Sequence, residues 1–385
     1  KVTHTEHTTQ YTTHFFGGAL AMELFSGPTV LLLAVSLFLV ILLSTWRALM
    51  KTPVSSRTPQ STILPNGMRV FHLLREEVEF LYQTIFEEEE YLRHNVQLHA
   101  DDTIVDVGGN VGLFSLYCHR KLGGRLRLLA FEPLPPIYRV LEQNFALANR
   151  QQIALARTSS KHSEHREETE AKEAKVAATH QGSLLALPYG LSSRPQKSVR
   201  FFYYPFCSLW SGAYADTSKE ELSRVSELVL RNLAGGRGQF FAYLIHWCPI
   251  PSLRRYLVES VVWHWNQVEE YESELRTLSA VIDEHGLDRI DLLKIDCEKA
   301  ELEVLEGVEE RHWPLIRQVV AEVHDIDDRV NRMVELLRSH GFCNIVTLPG
   351  PPPFFMVWRM LGVQSPKWTV SNMYHLYATR DIPAQ

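Results

Sequence analysis

A glycine-rich turn with an acid in front of it is the first feature of this chain that could do chemistry. The segment reads DTIVDVGGNVG, in which Asp106 ends an apolar run and is followed by Gly108, Gly109, Asn110 and Gly112. Glycines let a backbone turn tightly and approach a bound ligand closely. The spacing G-G-x-x-G differs from the G-x-G-x-x-G of dinucleotide-binding turns. The pattern predicts a turn that holds a cofactor, without deciding which one.

The acid in this turn narrows the choice of cofactor. A carboxylate that points into the site, as we expect of Asp106, would repel a pyrophosphate but attract a cation. S-adenosylmethionine carries a sulfonium and an ammonium group and has no phosphate. Glu132 lies twenty residues after Gly112, where it could accept hydrogen bonds from two ribose hydroxyls. Dinucleotide folds share that geometry, so Glu132 alone does not discriminate, and either acid could instead be a surface cap.

Two further strand ends carry titratable side chains. In LLKIDCEKAELEVLEG, Asp296 ends an apolar run and should face the cleft, whereas Glu298 or Glu301 could simply cap the helix that follows. In VVAEVHD, His324 closes the next strand, and a histidine there could accept a proton. A purely structural histidine is the alternative. No side chains have clear metal-ligand spacing, so we predict no metal.

Strands and helices alternate along the chain around these residues. Amphipathic helical patterns separate the apolar runs TIVDVGG, LRLLAFEP, IDLLKIDCE and IRQVVAEVHD, and the last two predicted strands are CNIVTLP and MYHLYATR. Near-continuous apolar strands between amphipathic helices predict an α/β fold, with a parallel sheet covered by helices on both faces. Ligands of such sheets bind at the carboxyl ends of the strands, where the residues above lie.

Several segments fall outside this alternation. Residues 63–385 form the predicted main domain, with a highly charged insertion at 159–181 and a mostly helical insertion at about 211–267. The charged insertion should be disordered or weakly helical. The helical one could cover an acceptor site or simply pack. Residues 47–62 are rich in Pro, Ser and Thr and predict a linker, and the acidic run Glu87–Glu90 predicts a solvated helix face.

The N-terminal segment predicts a membrane anchor. Residues 29–46, TVLLLAVSLFLVILLSTW, carry no charge over eighteen positions, which is near the length of about 20 residues that a bilayer-spanning helix needs. Arg47, Lys51 and Arg57 follow it, so the positive-inside rule predicts a single-pass anchor with the downstream domain facing the cytosol. A buried helix and a secretory signal peptide are the alternatives. Residues 1–28 predict a disordered terminus.

Composition argues against several classes of protein. Hydrophobic residues make up 45% and charged residues 22%, as in an ordinary globular protein. The net charge of −6 leaves no basic surface for nucleic acid, and we predict no nucleic-acid partner. The five cysteines include no C-x-x-C pair, which argues against a disulfide framework or a zinc site.

Taken in order, the motifs resemble those of the FkbM family of S-adenosylmethionine-dependent methyltransferases. The motifs that carry the likeness are DVGGNVGLFSL, FEPLPP, LLKIDCEKAELEVLEG and EVHD, together with YPFCSLWSGAYAD at 204–216. The likeness spans roughly residues 63–380 and is strongest to members associated with polyketide and non-ribosomal peptide synthases. It implies a Rossmann-like class I methyltransferase fold with a seven-stranded, mostly parallel sheet whose last strand is antiparallel.

The resemblance also implies a reaction and residue roles. The donor would be S-adenosylmethionine, and the acceptor a hydroxyl on a small-molecule or lipid-like compound. The turn from Asp106 to Gly112 would line the methionine end of the donor, Glu132 would bind its ribose, and Asp296 would lie near the reacting centre. Asp296 or His324 would take the acceptor's proton. Lys299 departs from the pattern, since many members have Gly there.

Two other functions remain open from the residues alone. An NAD-type oxidoreductase would use the same sheet, although Asp106 and the glycine spacing disfavour it. A non-catalytic, membrane-tethered binding module is disfavoured by the intact set of motifs. The acceptor itself is not determined, because the apolar segment at 351–363 could touch lipid, line an acceptor pocket or merely pack.

Overall fold

The glycine turn and the strand ends near it belong to one seven-stranded sheet in the computed structural model. The structure describes residues 27–50, 58–161, 184–214, 222–223, 226–227, 229–230, 245–350 and 372–380. Its strands are β1 Gln60–Ile63, β2 Arg69–His72, β3 Asp102–Val107, β4 Leu126–Phe131, β5 Leu184–Leu187, β6 Gly190–Leu191, β7 Gln196–Tyr203, β8 Glu269–Arg276, β9 Leu292–Ile295, β10 Gln318–His324, β11 Asn344–Pro349 and β12 Met373–Thr379. Its α-helices, among these residues, are α1 Gly27–Met50, α2 Arg75–Tyr82, α3 Leu113–Lys121, α4 Pro135–Lys161, α5 Pro251–Trp265, α6 Leu278–His285, α7 Glu301–Glu306 and α8 Arg329–Ser339.

The order of the strands places the ends of β3 and β9 beside each other. The large sheet runs β11-β12-β10-β9-β3-β4-β5. Its neighbours are parallel except for β12, which is antiparallel to both β10 and β11. The chain builds outward from β3 in one direction and then from β9 in the other, so a crevice opens between their carboxyl ends, where ligands of such sheets bind. The seven-stranded, mostly parallel sheet with an antiparallel last strand is confirmed.

Helices cover both faces of the sheet, as the continuous apolar strands require. On one face Ile104 of β3 and Leu292 of β9 pack in a cluster with side chains of α3 and α4. On the other, Val105 and Leu293 of the same strands pack in a cluster with side chains of α6, α7 and α8. Successive strand residues alternate between the two clusters, so each position along β3 and β9 can be assigned to a face. Asp106 and Lys294, two residues beyond Ile104 and Leu292, lie on the α3–α4 face.

A second, three-stranded sheet of order β6-β8-β7 was not predicted from the sequence. β7 pairs antiparallel with β8, and β6 pairs parallel with it. β8 reads EEYESELR, in which half-buried and exposed positions alternate and a single residue, Leu275, is fully buried. A strand this polar shows almost no alternation of apolar and polar residues. That alternation is the usual signal by which a strand is predicted.

The prediction of an N-terminal membrane anchor is wrong. In the part of the chain that the structure describes, no helix combines the length and apolar character needed to cross a bilayer. The apolar run lies within α1, where Leu42 is fully buried with Leu257 and Val258 of α5, whereas Leu31 and Leu37 are exposed. The single-pass topology, and the cytosolic orientation that depended on it, are withdrawn with the anchor.

Other segments singled out in the sequence have mixed outcomes. Most of the charged insertion at 159–181, the apolar segment at 351–363 and residues 1–26 lie outside the described residues. α1 continues to Met50, within the stretch predicted as a linker. The acidic run was expected to be a solvated face, and Glu87, Glu88 and Glu89 are exposed as expected. The Glu90 side chain, by contrast, is only 18% exposed and lies close to His375.

One buried amide ties the small N-terminal hairpin of β1 and β2 to the glycine turn. Asn144 of α4 is 1% exposed. Its Oδ1 accepts from the Phe71 N–H at 2.7 Å, and its Nδ2 donates to the Phe71 carbonyl at 3.0 Å and the Val111 carbonyl at 2.7 Å. Because Val111 lies inside the turn, the hairpin and the turn are held through a single side chain.

We therefore expect Asn144→Leu to lower the free energy of unfolding by about 3 kcal/mol or more. The change keeps the size of the side chain but leaves three backbone groups without their partner, the buried Val111 carbonyl and the partly buried N–H and carbonyl of Phe71. Each lost partner costs about 1–3 kcal/mol, with the lower values at partly buried groups. Gln143→Leu is the matched control, since Gln143 is exposed on the same helix and should change stability by no more than about 0.5 kcal/mol. Urea denaturation of both variants measures the difference, and equal effects would contradict this role of Asn144.

Candidate active site

The glycine turn begins where β3 ends and is anchored to the neighbouring strand. The N–H groups of Gly108 and Gly109 both donate to the Phe131 carbonyl at the end of β4, at 3.1 and 2.9 Å. The turn needs residues that adopt left-handed backbone conformations, with φ +75° at Gly108, +47° at Asn110 and +90° at Gly112. Glycine and asparagine adopt such conformations more easily than other residues.

Gly108 also brings two strand ends into contact. A Cβ at this position would lie 1.7 Å from the Asp296 carbonyl oxygen, so only glycine allows the turn and the end of β9 to approach so closely. Gly109 has no such constraint. Its Cβ would meet Ala130 at 3.1 Å and Leu141 at 3.4 Å, both through side-chain atoms, and its φ is not left-handed.

Glu132 is held rigidly at the end of β4. It is 5% exposed. Its Oε2 accepts from the Asn110 N–H at 3.1 Å and its Oε1 from the Leu134 N–H at 2.9 Å. Burial raises the pKa of Glu132 to about 7, although these two hydrogen bonds oppose the rise. The carboxylate predicted to hold a ribose is therefore directly joined to the glycine turn.

Asp106 lies deeper than the sequence suggested. Instead of pointing into the crevice, its carboxylate is fully buried, with Oδ2 accepting from the Ser115 hydroxyl at 2.7 Å and Oδ1 lying 3.2 Å from Lys294 Nζ. Burial raises the pKa of Asp106, while Lys294 and Ser115 act against that rise. The Asp106 side chain has no exposed surface, so it cannot contact a ligand directly. It can act on a ligand only through its charge, from below the glycine turn.

Lys294 is the main residue of the site that the sequence reading missed. Its Nζ lies 3.3 Å from Asp296 Oδ2 as well as 3.2 Å from Asp106, and it donates to the Gly108 carbonyl at 2.9 Å. Burial by itself lowers the pKa of Lys294, but the two carboxylates outweigh burial and raise it. A signal was present, since a lysine inside the apolar run of IDLLKID is rarely buried without a partner.

Asp106, Lys294 and Asp296 form a buried chain of contacts, and Asp296 is the member that reaches the crevice. Its side chain is 26% exposed, against 4% for Lys294 and 0% for Asp106. Tyr91 donates its hydroxyl to Asp296 Oδ2 at 3.1 Å, so the lysine and the tyrosine share one oxygen. Among the described residues Oδ1 has no hydrogen-bond partner, which leaves it available to a ligand.

A row of titratable side chains continues across β10 and β12. Register pairs Glu322 with His375 across these two strands. His375 Nε2 lies 3.2 Å from Glu90 Oε1. Burial raises the pKa of Glu90 to about 7, and burial together with the field of Asp296 raises the pKa of Glu322 above its ordinary value. Asp296 is close enough to Glu90 and Glu322 to disfavour the ionisation of both.

His324 lies between two glutamates. Its Nε2 is 3.5 Å from Glu298 Oε2, and its Nδ1 is 3.5 Å from Glu301 Oε1. Burial alone lowers the pKa of His324, but Glu301 and Glu298 outweigh burial and raise it. Burial raises the pKa of Glu298 to about 8. Glu301, the first residue of α7, also accepts from the Lys299 N–H at 2.6 Å, a donor that lies before the helix and not in its first turn.

The site therefore unites the ends of β3, β4, β9 and β10 at one edge of the sheet. Within the described ranges, no group of three or more His, Cys, Asp or Glu side chains could hold a metal ion. The residues present fit a cationic, phosphate-free cofactor, since the buried chain of two carboxylates and one lysine has a net charge of one negative unit.

Comparison with known proteins identifies the family. A model of the methyltransferase FkbM domain matches residues 106–343. The 31-O-demethyl-FK506 methyltransferase FkbM of Streptomyces tacrolimicus is 35% identical over 284 residues, 72% of this chain and 87% of that protein. The chain belongs to the FkbM methyltransferase family. S-adenosylmethionine is accordingly its cofactor.

Other relatives extend the comparison. The FkbM-family chain is 30% identical to methyltransferase sdnD of Sordaria araneosa, over 74% of this chain and 90% of that one. It is 35% identical to AMB antimetabolite synthetase AmbE of Pseudomonas aeruginosa over 72% of this chain, but only 11% of that much longer protein. Among solved structures, the METTL16 MTase domain aligns over 89% of this chain and 92% of that chain at 9% identity, with a TM-score of 0.34, too low to support an argument.

The family segment at 204–216 contacts the turn after β9. A Cβ on Gly212 would lie 2.9 Å from Glu298 Cβ, and Lys299 Nζ donates to the Tyr214 carbonyl at 3.4 Å. Lys299 has φ +77°, a left-handed conformation that glycine adopts at little cost. This backbone requirement gives a physical reason for the glycine that many FkbM-family members have at this position.

A pair of adjacent substitutions tests how closely the turn must approach β9. We expect Gly108→Ala to lower the free energy of unfolding by more than about 2 kcal/mol, because left-handed strain of about 1–2 kcal/mol adds to the displacement of the Asp296 backbone. The same change at Gly109 should cost less than about 1 kcal/mol. Urea denaturation and titration with S-adenosylmethionine compare the two, and a Gly108→Ala protein as stable as Gly109→Ala would refute the close approach.

Proposed function

We propose that this enzyme transfers a methyl group from S-adenosylmethionine to a hydroxyl oxygen of a small-molecule acceptor. The observation that carries the proposal is the arrangement of Glu132, the glycine turn and Asp296 around the crevice between β3 and β9. The printed name of the Streptomyces tacrolimicus relative, a 31-O-demethyl-FK506 methyltransferase, supports a hydroxyl acceptor. A lipid-like acceptor loses the part of its support that came from the membrane anchor, and only the resemblance still favours it.

At the donor end, the turn and Glu132 bind and orient the cofactor. Glu132 would accept the ribose hydroxyls with the lone pairs that its two backbone hydrogen bonds leave unused. Gly108, Gly109, Asn110 and Gly112 would line the methionine end, where the absence of large side chains permits close approach. Asp106 would add its negative charge through the buried chain, without touching the donor.

At the reacting centre, the protein mainly aligns the two reactants. The bound donor supplies an already activated methyl group on a sulfonium. Asp296 would lie near the acceptor, with its unpaired Oδ1 able to accept a hydrogen bond from the attacking hydroxyl. Alignment of this kind contributes up to about 7–11 kcal/mol to catalysis, provided that water is excluded from the crevice.

The acceptor's proton requires a base, and the site offers His324 and Asp296. His324 is the candidate whose protonation depends most clearly on its neighbours, since Glu298 and Glu301 hold its pKa above the ordinary value of 6.5. A base must be unprotonated to act, so a His324 base works only above that raised pKa. If Asp296 is the base, the reaction does not require His324 to be unprotonated.

An NAD-type oxidoreductase is the rival enzyme. The burial of Asp106 weakens the argument that its carboxylate directly repels a pyrophosphate. Family membership now carries the case against that rival. Calorimetric titration of the purified protein with S-adenosylmethionine and with NAD separates the two, and binding of NAD alone would refute a methyltransferase.

Product analysis tests the hydroxyl assignment. The protein is incubated with isotopically labelled S-adenosylmethionine and fractionated small-molecule extract, and the products are identified by mass spectrometry. Label on an oxygen of a small molecule supports the proposal. Label confined to amines or to protein carboxylates overturns it, while leaving methyl transfer itself intact.

The choice between the two bases predicts a particular pH dependence. If His324 is the base, kcat falls as the pH drops through a pKa above 6.5, and Glu301→Gln moves that acid limb to lower pH by removing the neighbour that raises the histidine's pKa most. His324→Gln should lower kcat by about 100-fold or more. His99→Gln, at an exposed histidine, is the control. An acid limb that Glu301→Gln does not move assigns the base to Asp296.

A further inference from the structure

Lys294 is a buried cation that lies between Asp106 and Asp296, and its contacts run in two directions. Toward the interior it pairs with Asp106, which is fully buried and hydrogen-bonded to Ser115. Toward the crevice it contacts the Gly108 carbonyl at 2.9 Å and Asp296 Oδ2 at 3.3 Å. One of these two crevice partners belongs to the donor turn and the other to the end of β9.

The register of the sheet makes this position possible. Lys294 is directly paired with Asp106 of β3 and with Val320 of β10. The lysine therefore lies in the middle of the sheet, one strand from the donor turn and one from the strand that ends at His324. The Tyr91 ring packs over Lys294, and the Lys294 ammonium lies 5.5 Å from the centre of that ring.

Lys294 makes more contacts than it would need if it only neutralised the charge of a buried carboxylate. Neutralising Asp106 requires one ion pair, which the lysine already makes. Its remaining contacts hold two oxygens that belong to different elements, a backbone carbonyl of the turn and a carboxylate of β9. An ammonium with three donors in a nearly inaccessible position can fix the separation of those oxygens.

We infer that Lys294 is a positioning residue, which sets the Gly108 carbonyl and the Asp296 carboxylate at the separation that the methyl donor requires. It does not itself touch the donor or the acceptor. Lys294 acts through its neighbours, and Asp106 serves chiefly as its anchor. The inference rests on the donor site of the proposed function but not on the identity of the acceptor.

A charge-matched double variant separates positioning from simple stability. Lys294→Met alone leaves Asp106 buried without a counter-ion and should unfold at a lower temperature. Lys294→Met combined with Asp106→Leu removes one charge of each sign, so Asp296 remains and the net charge of the site is unchanged. We expect the double variant to recover most of the lost thermal stability.

Recovery of stability should not bring recovery of function. In the double variant, we expect S-adenosylmethionine to bind several-fold more weakly than in the parent by calorimetry. We also expect kcat at saturating donor to fall by about 100-fold, the effect of misplacing a reacting group by about 1 Å. Lys294→Gln with Asp106→Asn is a second pair, with polar side chains of similar size, for use if the first does not fold.

The outcomes are distinguishable. If a folded double variant binds the donor within about twofold of the parent and keeps its kcat, Lys294 is only a structural counter-ion and the inference is overturned. If the parent protein itself does not bind S-adenosylmethionine in the same titration, the donor site of the proposed function fails instead. Weakened binding and slowed turnover in a stable double variant support Lys294 as a positioning residue.

Discussion

The rest of the site depends on the ion pair between Asp106 and Lys294 inside the sheet. Two full charges in a hydrophobic interior are costly unless each finds a partner at close range. The parallel pairing of β3 and β9 provides that partner, because it sets the two residues opposite each other on the same face. A slip of one residue in this register would turn Lys294 toward the opposite apolar cluster, where it would meet no carboxylate of β3.

From that pair, the arrangement of the crevice follows by contact. Lys294 reaches the Gly108 carbonyl, and Gly108 in turn can lie against the Asp296 backbone only because it has no side chain. The same turn presents the Asn110 N–H to Glu132, which fixes the end of β4. Three strand ends are therefore joined by hydrogen bonds and one close backbone approach, which makes the crevice rigid before any ligand binds. Such preorganisation is what alignment of two reactants requires.

Much of this could be predicted from the sequence, and the limits have physical causes. Continuous apolar strands between amphipathic helices predicted the large sheet, and the titratable residues at the strand ends predicted the edge at which Glu132, Asp296 and His324 lie. The depth of Asp106 and the role of Lys294 could not be predicted, because the contact between Lys294 and the turn joins residues 186 positions apart. The small sheet was missed because β8 has too little apolar surface to produce a period. The apolar run in α1 was misread because its composition does not reveal that it packs on α5.

On the proposed function, the part of the crevice near Glu322 and Glu90 would face the acceptor, and its charges are balanced differently from those around Lys294. Around Lys294 the acids have a cation between them, whereas Glu322 and Glu90 have burial and neighbouring acids raising their pKa values. Carboxyls in that state hold their protons at neutral pH more readily than exposed ones, and a protonated carboxyl donates a hydrogen bond instead of only accepting one. In that arrangement the donor part would present negative charge to a cation, while the acceptor part would present groups that can exchange hydrogen bonds with neutral hydroxyls. This division fits a reaction between a charged donor and an uncharged acceptor across one crevice.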